Sequence, residues 1–140
     1  MRRGAPLPAR IEERLATLGA ILDAAAAIKF AYLFGGAGRG ALRPLSDVDV
    51  AVYLDDAVDP VQARVDLTGV VTKHLGTDEL DLVVLNRAPT ALLGRILQSR
   101  RVIVDKDPFF RHRFESLALR TFLDFRIFER RFLDARFARG

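Results

Sequence analysis

Hydrophobic positions recur along the chain with two different periods. Ile11, Leu15, Leu18 and Leu22 fall at helical spacing, so residues from Pro8 to about Ala27 predict a helix. Pro8 suits its first turn, and Glu12 and Glu13 suit its positive N-terminal end. The run I-K-F-A-Y-L-F, Ile28 to Phe34, predicts a strand, and a glycine-rich stretch, G-G-A-G-R-G-A-L, follows at once. A second strand is expected from Val48 to Leu54. Asp59 as N-cap and Pro60 in the first turn open a helix that Gly76 closes after Leu75. Glu79–Leu85 predicts a third strand, Pro89–Gln98 a short helix and Arg101–Val104 a fourth strand. Asp107-Pro108 starts a last helix reaching about Phe137.

Helices alternating with strands make this an α/β (α+β) chain, with a mixed sheet of about four strands flanked by helices. At 140 residues, with no repeat and no long linker, a single domain spanning 1–140 is expected, with 108–140 as a C-terminal helical segment packed on it. Half the residues are apolar, which excludes wholesale disorder. There is no cysteine, so disulfides and thiolate metal sites are excluded, and a cytoplasmic location is the natural expectation. No apolar run approaches the roughly 20 residues of a membrane helix.

The net charge of +4 first suggests nucleic acid as a partner. Its location argues otherwise. Residues 1–107 carry 14 basic and 14 acidic residues, whereas 108–140 carry 8 Arg and 4 Asp or Glu. The last segment also holds eight of the ten Phe. Its apolar residues Phe114, Leu117, Ala118, Phe122, Phe125, Phe128 and Phe132 form a helical stripe. Arg111/Glu115, Arg120/Asp124 and Arg130/Asp134, spaced i,i+4, are expected on its wet face. A helix of that length would outrun a small domain, so its end, Phe128–Phe137, is expected to meet a partner or a second copy. Nucleic acid is not the expected partner.

Candidate chemistry concentrates between Tyr32 and Leu54. A glycine-rich turn opening a helix is an anion site, because its backbone N–H groups point outward. Asp47 and Asp49 follow, two residues apart on a strand, so they project to one face. Paired carboxylates repel unless a cation sits between them, and their oxygens suit Mg²⁺. Asp81, mid-strand in L-D-L-V-V, could complete a three-carboxylate site if its strand lies beside that of Asp49. Glu79 shares its parity and is the weaker candidate. A phosphate cradle next to metal-binding carboxylates points to phosphoryl or nucleotidyl transfer. Taken singly, each feature has a plainer explanation: a loop, a cap at Asp47, a strand-edge Asp81 facing water. Gly36-x-Gly38-x-x-Ala41 also matches a dinucleotide fingerprint, but too little chain follows for its crossover helix. Gly35-x4-Gly40 fails as a phosphate loop because Ala41 and Leu42 stand where Lys and Ser/Thr are needed.

The segment resembles the DNA polymerase β-like nucleotidyltransferases, whose signature is Gly-Ser, ten residues, then Asp-x-Asp. Here Gly35-Gly36, ten residues and Asp47-Val48-Asp49 keep that spacing. Arg39, Gly40, Ser46, Asp47 and Asp49 match the small MNT-type variant, and Asp81 matches its third carboxylate. The stretch Asp107 to Phe125 resembles that family's ending, so the likeness runs from about Tyr32 to Phe125.

The resemblance implies a polymerase β-like fold with a long C-terminal helix. It implies an antitoxin encoded beside a HEPN-type toxin, transferring AMP from ATP to a tyrosine of that toxin. Asp47 and Asp49 would bind two Mg²⁺ ions, and Asp81 would help hold the catalytic metal and assist removal of the hydroxyl proton. Gly35 and Gly36 would offer backbone N–H groups to the triphosphate, and Arg39 and Ser46 would belong to the nucleotide site. Two departures bear on this. Gly36 replaces the motif serine and Gly38 the usual alanine. Losing one hydrogen bond to a charged group costs about 1.5–3 kcal/mol, which weakens nucleotide use about tenfold to a hundredfold without abolishing it. The alternative is a weak or inactive module that neutralises its partner by binding alone. Transfer to a small molecule is a third possibility, for which the chain has little room.

Overall fold

The computed structural model describes residues 10–40 and 47–138. Its elements, in chain order, are α1 (Ile11–Asp23), β1 (Ile28–Phe34), α2 (Gly35–Gly38), β2 (Val48–Leu54), α3 (Pro60–Leu75), β3 (Leu80–Val84), a 3₁₀ turn (Leu85–Arg87), α4 (Thr90–Ser99), β4 (Arg101–Asp105) and α5 (Pro108–Ala138). The expected start of the first helix, at Pro8, lies outside the described residues. That helix ends four residues earlier than its composition suggests. The alanines after Asp23 turn tightly, with the Ile28 N–H donating to the Ala25 carbonyl, because Ile28 must already pair with Leu54.

Local chemistry sets the other boundaries. The Asp59 carboxylate caps α3 by accepting the Val61 N–H at 3.1 Å, Pro60 fills the first turn, and Gly76 ends the helix at φ +72°. The Asp107 carboxylate accepts the Phe110 N–H at 3.0 Å and starts α5.

The strand order is β3-β2-β1-β4. β1 is antiparallel to both β2 and β4, and β2 is parallel to β3, so the sheet is mixed. Strand alternation gives it two buried faces. Val48, Val50, Val52, Leu54, Leu80 and Leu82 face α1 and α3, meeting Leu15, Leu18, Leu22, Leu67, Val71 and Leu75. Phe30, Tyr32, Ala51 and Tyr53 face α4 and α5, meeting Ile96, Leu97, Phe110, Phe114 and Ala118.

α5 corrects the expected division into wet and dry faces. Arg111 and Glu115, expected in solvent, are buried. The Glu115 carboxylate accepts the Tyr32 hydroxyl (2.7 Å), Arg100 Nε (2.7 Å) and an Arg111 guanidinium N–H (2.9 Å), and Arg111 also bonds Asp105 at 3.0 Å. Burial pushes the Glu115 carboxyl up, but the hydrogen bonds from Tyr32 and Arg100 and the charges of Arg100 and Arg111 outweigh it, and the net shift is downward. Burial and this carboxylate together push the Tyr32 hydroxyl up. The Phe stripe splits in two. Phe110, Phe114 and Phe122 pack on the domain, while Phe125, Phe128 and Phe132 are 43%, 69% and 58% exposed. The 31-residue helix is about 46 Å long and overhangs the sheet.

Candidate active site

β1 runs into the glycine turn, and the sheet brings the three candidate aspartates to that same end. Phe34 pairs with Asp49 across β1–β2, and Asp49 is the register partner of Asp81 across β2–β3. Their parity, shared with Ala51, Tyr53 and Val83, puts both on the α4/α5 side of the sheet. Asp47 lies just before β2, two residues from Asp49.

Asp49 is the group most affected. Partial burial first, then the charges of Asp81 and Asp47, push its carboxyl up to about 6. A carboxylate that both its burial and two like charges disfavour is a site short of positive charge. The three carboxylates are neighbours and do not form a closed cage: among the described residues, no three His, Asp or Glu side chains are gathered tightly enough to hold one metal ion. The all-oxygen, acidic donor set fits a hard divalent cation, which would reverse the repulsion that raises Asp49. Asp81 is itself exposed, and Glu79, its weaker alternative, is buried with Oε2 unbonded among the described residues.

The glycine turn is α2, a single turn of helix whose first residue, Gly35, sits at φ +60° with its Cα against the Asp49 carboxylate. A side chain there would need left-handed backbone and would collide with Asp49 Oδ2. The Gly35 N–H donates to the Ser99 hydroxyl at 2.9 Å. The N–H of Gly36 comes ahead of the first intrahelical bond, which runs from Arg39 to Gly35. Gly38, standing where the MNT-type pattern has alanine, lies against the Ser99 and Leu33 carbonyls, so a methyl group there would meet backbone. The departure at Gly38 thus goes with a close approach of α4. Arg39 caps α2 with its side chain exposed, and Ser46 lies outside the described residues.

Ser99 was missed by sequence reasoning. It is 64 residues from Gly35 and ends an unrelated helix, so nothing local marks it. A cavity of about 560 Å³, lined by Tyr53, Asp55, Val61, Arg64, Asn86 and Arg87 among others, opens at the far end of β2 and β3. It is about 16 Å along the strand from Asp49, and the carboxylates do not line it.

The Asp-x-Asp at the start of β2, the third aspartate on the parallel neighbour and the glycine turn lie in a segment that matches a known family. Residues 17–109 match the model described as polymerase beta, nucleotidyltransferase. The chain belongs to this family. Solved structures of similar fold include a tri-AMPylated Shewanella oneidensis HEPN toxin in complex with MNT antitoxin. That match has TM-score 0.66 and 20% identity, and covers 91% of this chain and 98% of that one. A toxin–antitoxin structure with AMP-PNP matches at TM-score 0.68 and 23% identity, over 90% and 98% of the two chains. The toxin–antitoxin MntA-HepT matches at TM-score 0.65 and 21% identity, with the same coverage. No curated protein sequence matches. These likenesses show that the shared fold extends over about nine-tenths of the chain. No helix among the described residues is long and apolar enough to cross a membrane.

Proposed function

We propose that the chain is a divalent-metal-dependent nucleotidyltransferase of MNT type, an antitoxin that transfers AMP from ATP to a tyrosine hydroxyl of a HEPN-type toxin. The observation that carries this reading is the carboxylate set on neighbouring parallel strands, Asp49 beside Asp81 with Asp47 adjacent, at the mouth of the glycine turn. Family membership gives the reaction class. The AMPylated HEPN toxin bound to an MNT antitoxin of the same fold supports this acceptor class.

Asp47, Asp49 and Asp81 would hold Mg²⁺, two ions by family resemblance, which supplies charge neutralisation at the phosphates and lowers the cost of forming the attacking oxyanion. The chain's own residues do the rest. The Gly36 N–H, at the positive end of α2, meets a phosphate oxygen, and Gly35, lacking a side chain, lets the triphosphate approach Asp49. The tyrosine oxygen attacks the α-phosphorus of ATP, the Pα–O bond to the β-phosphate breaks, and pyrophosphate leaves. The hydroxyl proton passes to the carboxylate pair, with Asp81, the exposed member, placed to receive it. Arg39 and Ser46 remain in the nucleotide site as proposed members.

The test is incubation with ATP, Mg²⁺ and the HEPN protein encoded beside it, with AMP on tyrosine read by mass spectrometry. Transfer by the wild type, and its loss in Asp47→Ala and Asp81→Ala, is the expected result. No transfer with any divalent metal sinks the catalytic reading. Gly36 in place of the motif serine favours a second reading, neutralisation by contact alone, in which Asp47→Ala still silences the partner.

A further inference from the structure

We propose that Ser99 is a positioning residue for the glycine turn, holding Gly35 and Gly38 at a fixed distance from the aspartates. The inference rests on the reading of this turn as the phosphate cradle. Ser99 is buried, and two separate parts of it touch the turn. Its hydroxyl oxygen accepts the Gly35 N–H at 2.9 Å, and its carbonyl lies against the Cα of Gly38. The hydroxyl proton has its own destination, the Arg95 carbonyl one helical turn back at 3.4 Å. A serine ending a helix needs only that last bond to be satisfied. The bond to Gly35 does nothing for α4; it constrains a segment 64 residues away.

What it constrains is the element with least support of its own. α2 is four residues long and three of them are glycine. Its entry residue has φ +60°, a conformation that glycine enters from a large unfolded freedom. Left to itself, such a turn samples many positions, and the Gly36 N–H would face a phosphate only part of the time. Ser99 is itself anchored, because the next residue, Arg100, bonds Glu115 at 2.7 Å and the Leu97 carbonyl at 2.8 Å. The turn is therefore pinned to the α4–β4 corner, and that corner to α5. With the Gly35 N–H engaged by Ser99, donation to a phosphate begins at Gly36.

The full-length chain tests this with two variants, Ser99→Ala, which removes the acceptor, and Ser99→Thr, which keeps it. Three readouts apply: calorimetric binding of a non-hydrolysable ATP analogue, Mn²⁺ binding by electron paramagnetic resonance, and hydrogen exchange at the Gly35 amide. Ser99→Ala is expected to weaken analogue binding about threefold to tenfold and to speed Gly35 exchange, with Mn²⁺ affinity held within about twofold. In transfer assays it raises KM for ATP more than it lowers kcat, and Ser99→Thr restores both. Unchanged analogue binding or unchanged Gly35 exchange in Ser99→Ala overturns the proposal. So does a joint collapse of nucleotide binding, Mn²⁺ binding and thermal midpoint, which marks a merely structural serine. A wild type that binds Mn²⁺ but no ATP analogue brings down the nucleotide-site reading and this inference with it. A wild type that binds the analogue while Ser99→Ala binds it equally well brings down this inference alone.

Discussion

Replacing Asp49 by asparagine should make the metal-free protein more stable while abolishing transfer. Folding raises the Asp49 carboxyl from its ordinary 3.8 to about 6. The native state therefore binds this proton more tightly than the unfolded chain does. Stability must then fall as pH rises from about 4 through about 6, and the penalty is fully present above that window. The shift is roughly two units, and at about 1.4 kcal/mol per unit the penalty reaches about 3 kcal/mol. Asp49 is only half-buried, and solvent screening brings the figure to about 1–2 kcal/mol. Asparagine keeps the shape that packs against Gly35 and removes the charge. Urea denaturation in EDTA at pH 8 should show Asp49→Asn more stable by about 1–2 kcal/mol, and the gain should vanish at pH 3.5. Adding Mg²⁺ at pH 8 should stabilise the wild type and leave the variant unmoved, because only a state that binds the ion gains from it. A variant no more stable than wild type at pH 8, or a gain as large at pH 3.5, would refute the claim that burial and the charges of Asp81 and Asp47 destabilise the ionised Asp49 carboxylate.

Other predictions follow from packing. Gly35→Ala forces a side chain into left-handed backbone against Asp49 Oδ2 and should cost about 1–3 kcal/mol in urea denaturation, with ATP-analogue binding lost as well. Glu115→Gln removes the charge facing Arg100 and Arg111 and should cost about 3–5 kcal/mol. Because folding lowers the Glu115 carboxyl, its contribution is present above its unfolded value and lost as pH falls through the folded one, so the variant's deficit should shrink in acid. Ending the chain after Ile127 removes exposed Phe128 and Phe132 and should change stability by less than about 1 kcal/mol. The same truncation should abolish co-purification with the proposed HEPN partner, and retained binding would show that the overhang is not the contact.

The elements were legible from the chain wherever local chemistry closes them. Asp59-Pro60 and Gly76 bound α3, Asp107-Pro108 starts α5, and alternating Val residues mark β2. The Asp47–Asp49 pair was legible too, because strand parity is a two-residue rule, whereas the place of Asp81 beside it hung on β3 neighbouring β2, a condition that the parallel register of the two strands meets. The strand order depends on pairings between distant segments, as in β1 with β4, and no local signal carries those. Arg111 and Glu115 were misplaced for a related reason. The i,i+4 spacing describes a helix in isolation, whereas Tyr32 and Arg100 arrive from β1 and from the α4–β4 corner to bury the pair. Ser99 was invisible on the same ground, since its importance is a contact and not a pattern.

The overhang of α5 has a consequence for the lifetime of the chain. Beyond Phe122 the helix has solvent on all sides of its described residues, so opening it costs little more than its own backbone hydrogen bonds. Cleavage by proteases tracks the population of such opened segments. The free chain should be nicked first between Leu123 and Arg136, and a partner seated on the helix would shield those bonds. The amount of intact protein would then follow the amount of partner present to cover it, tying the supply of one chain to that of the other through turnover.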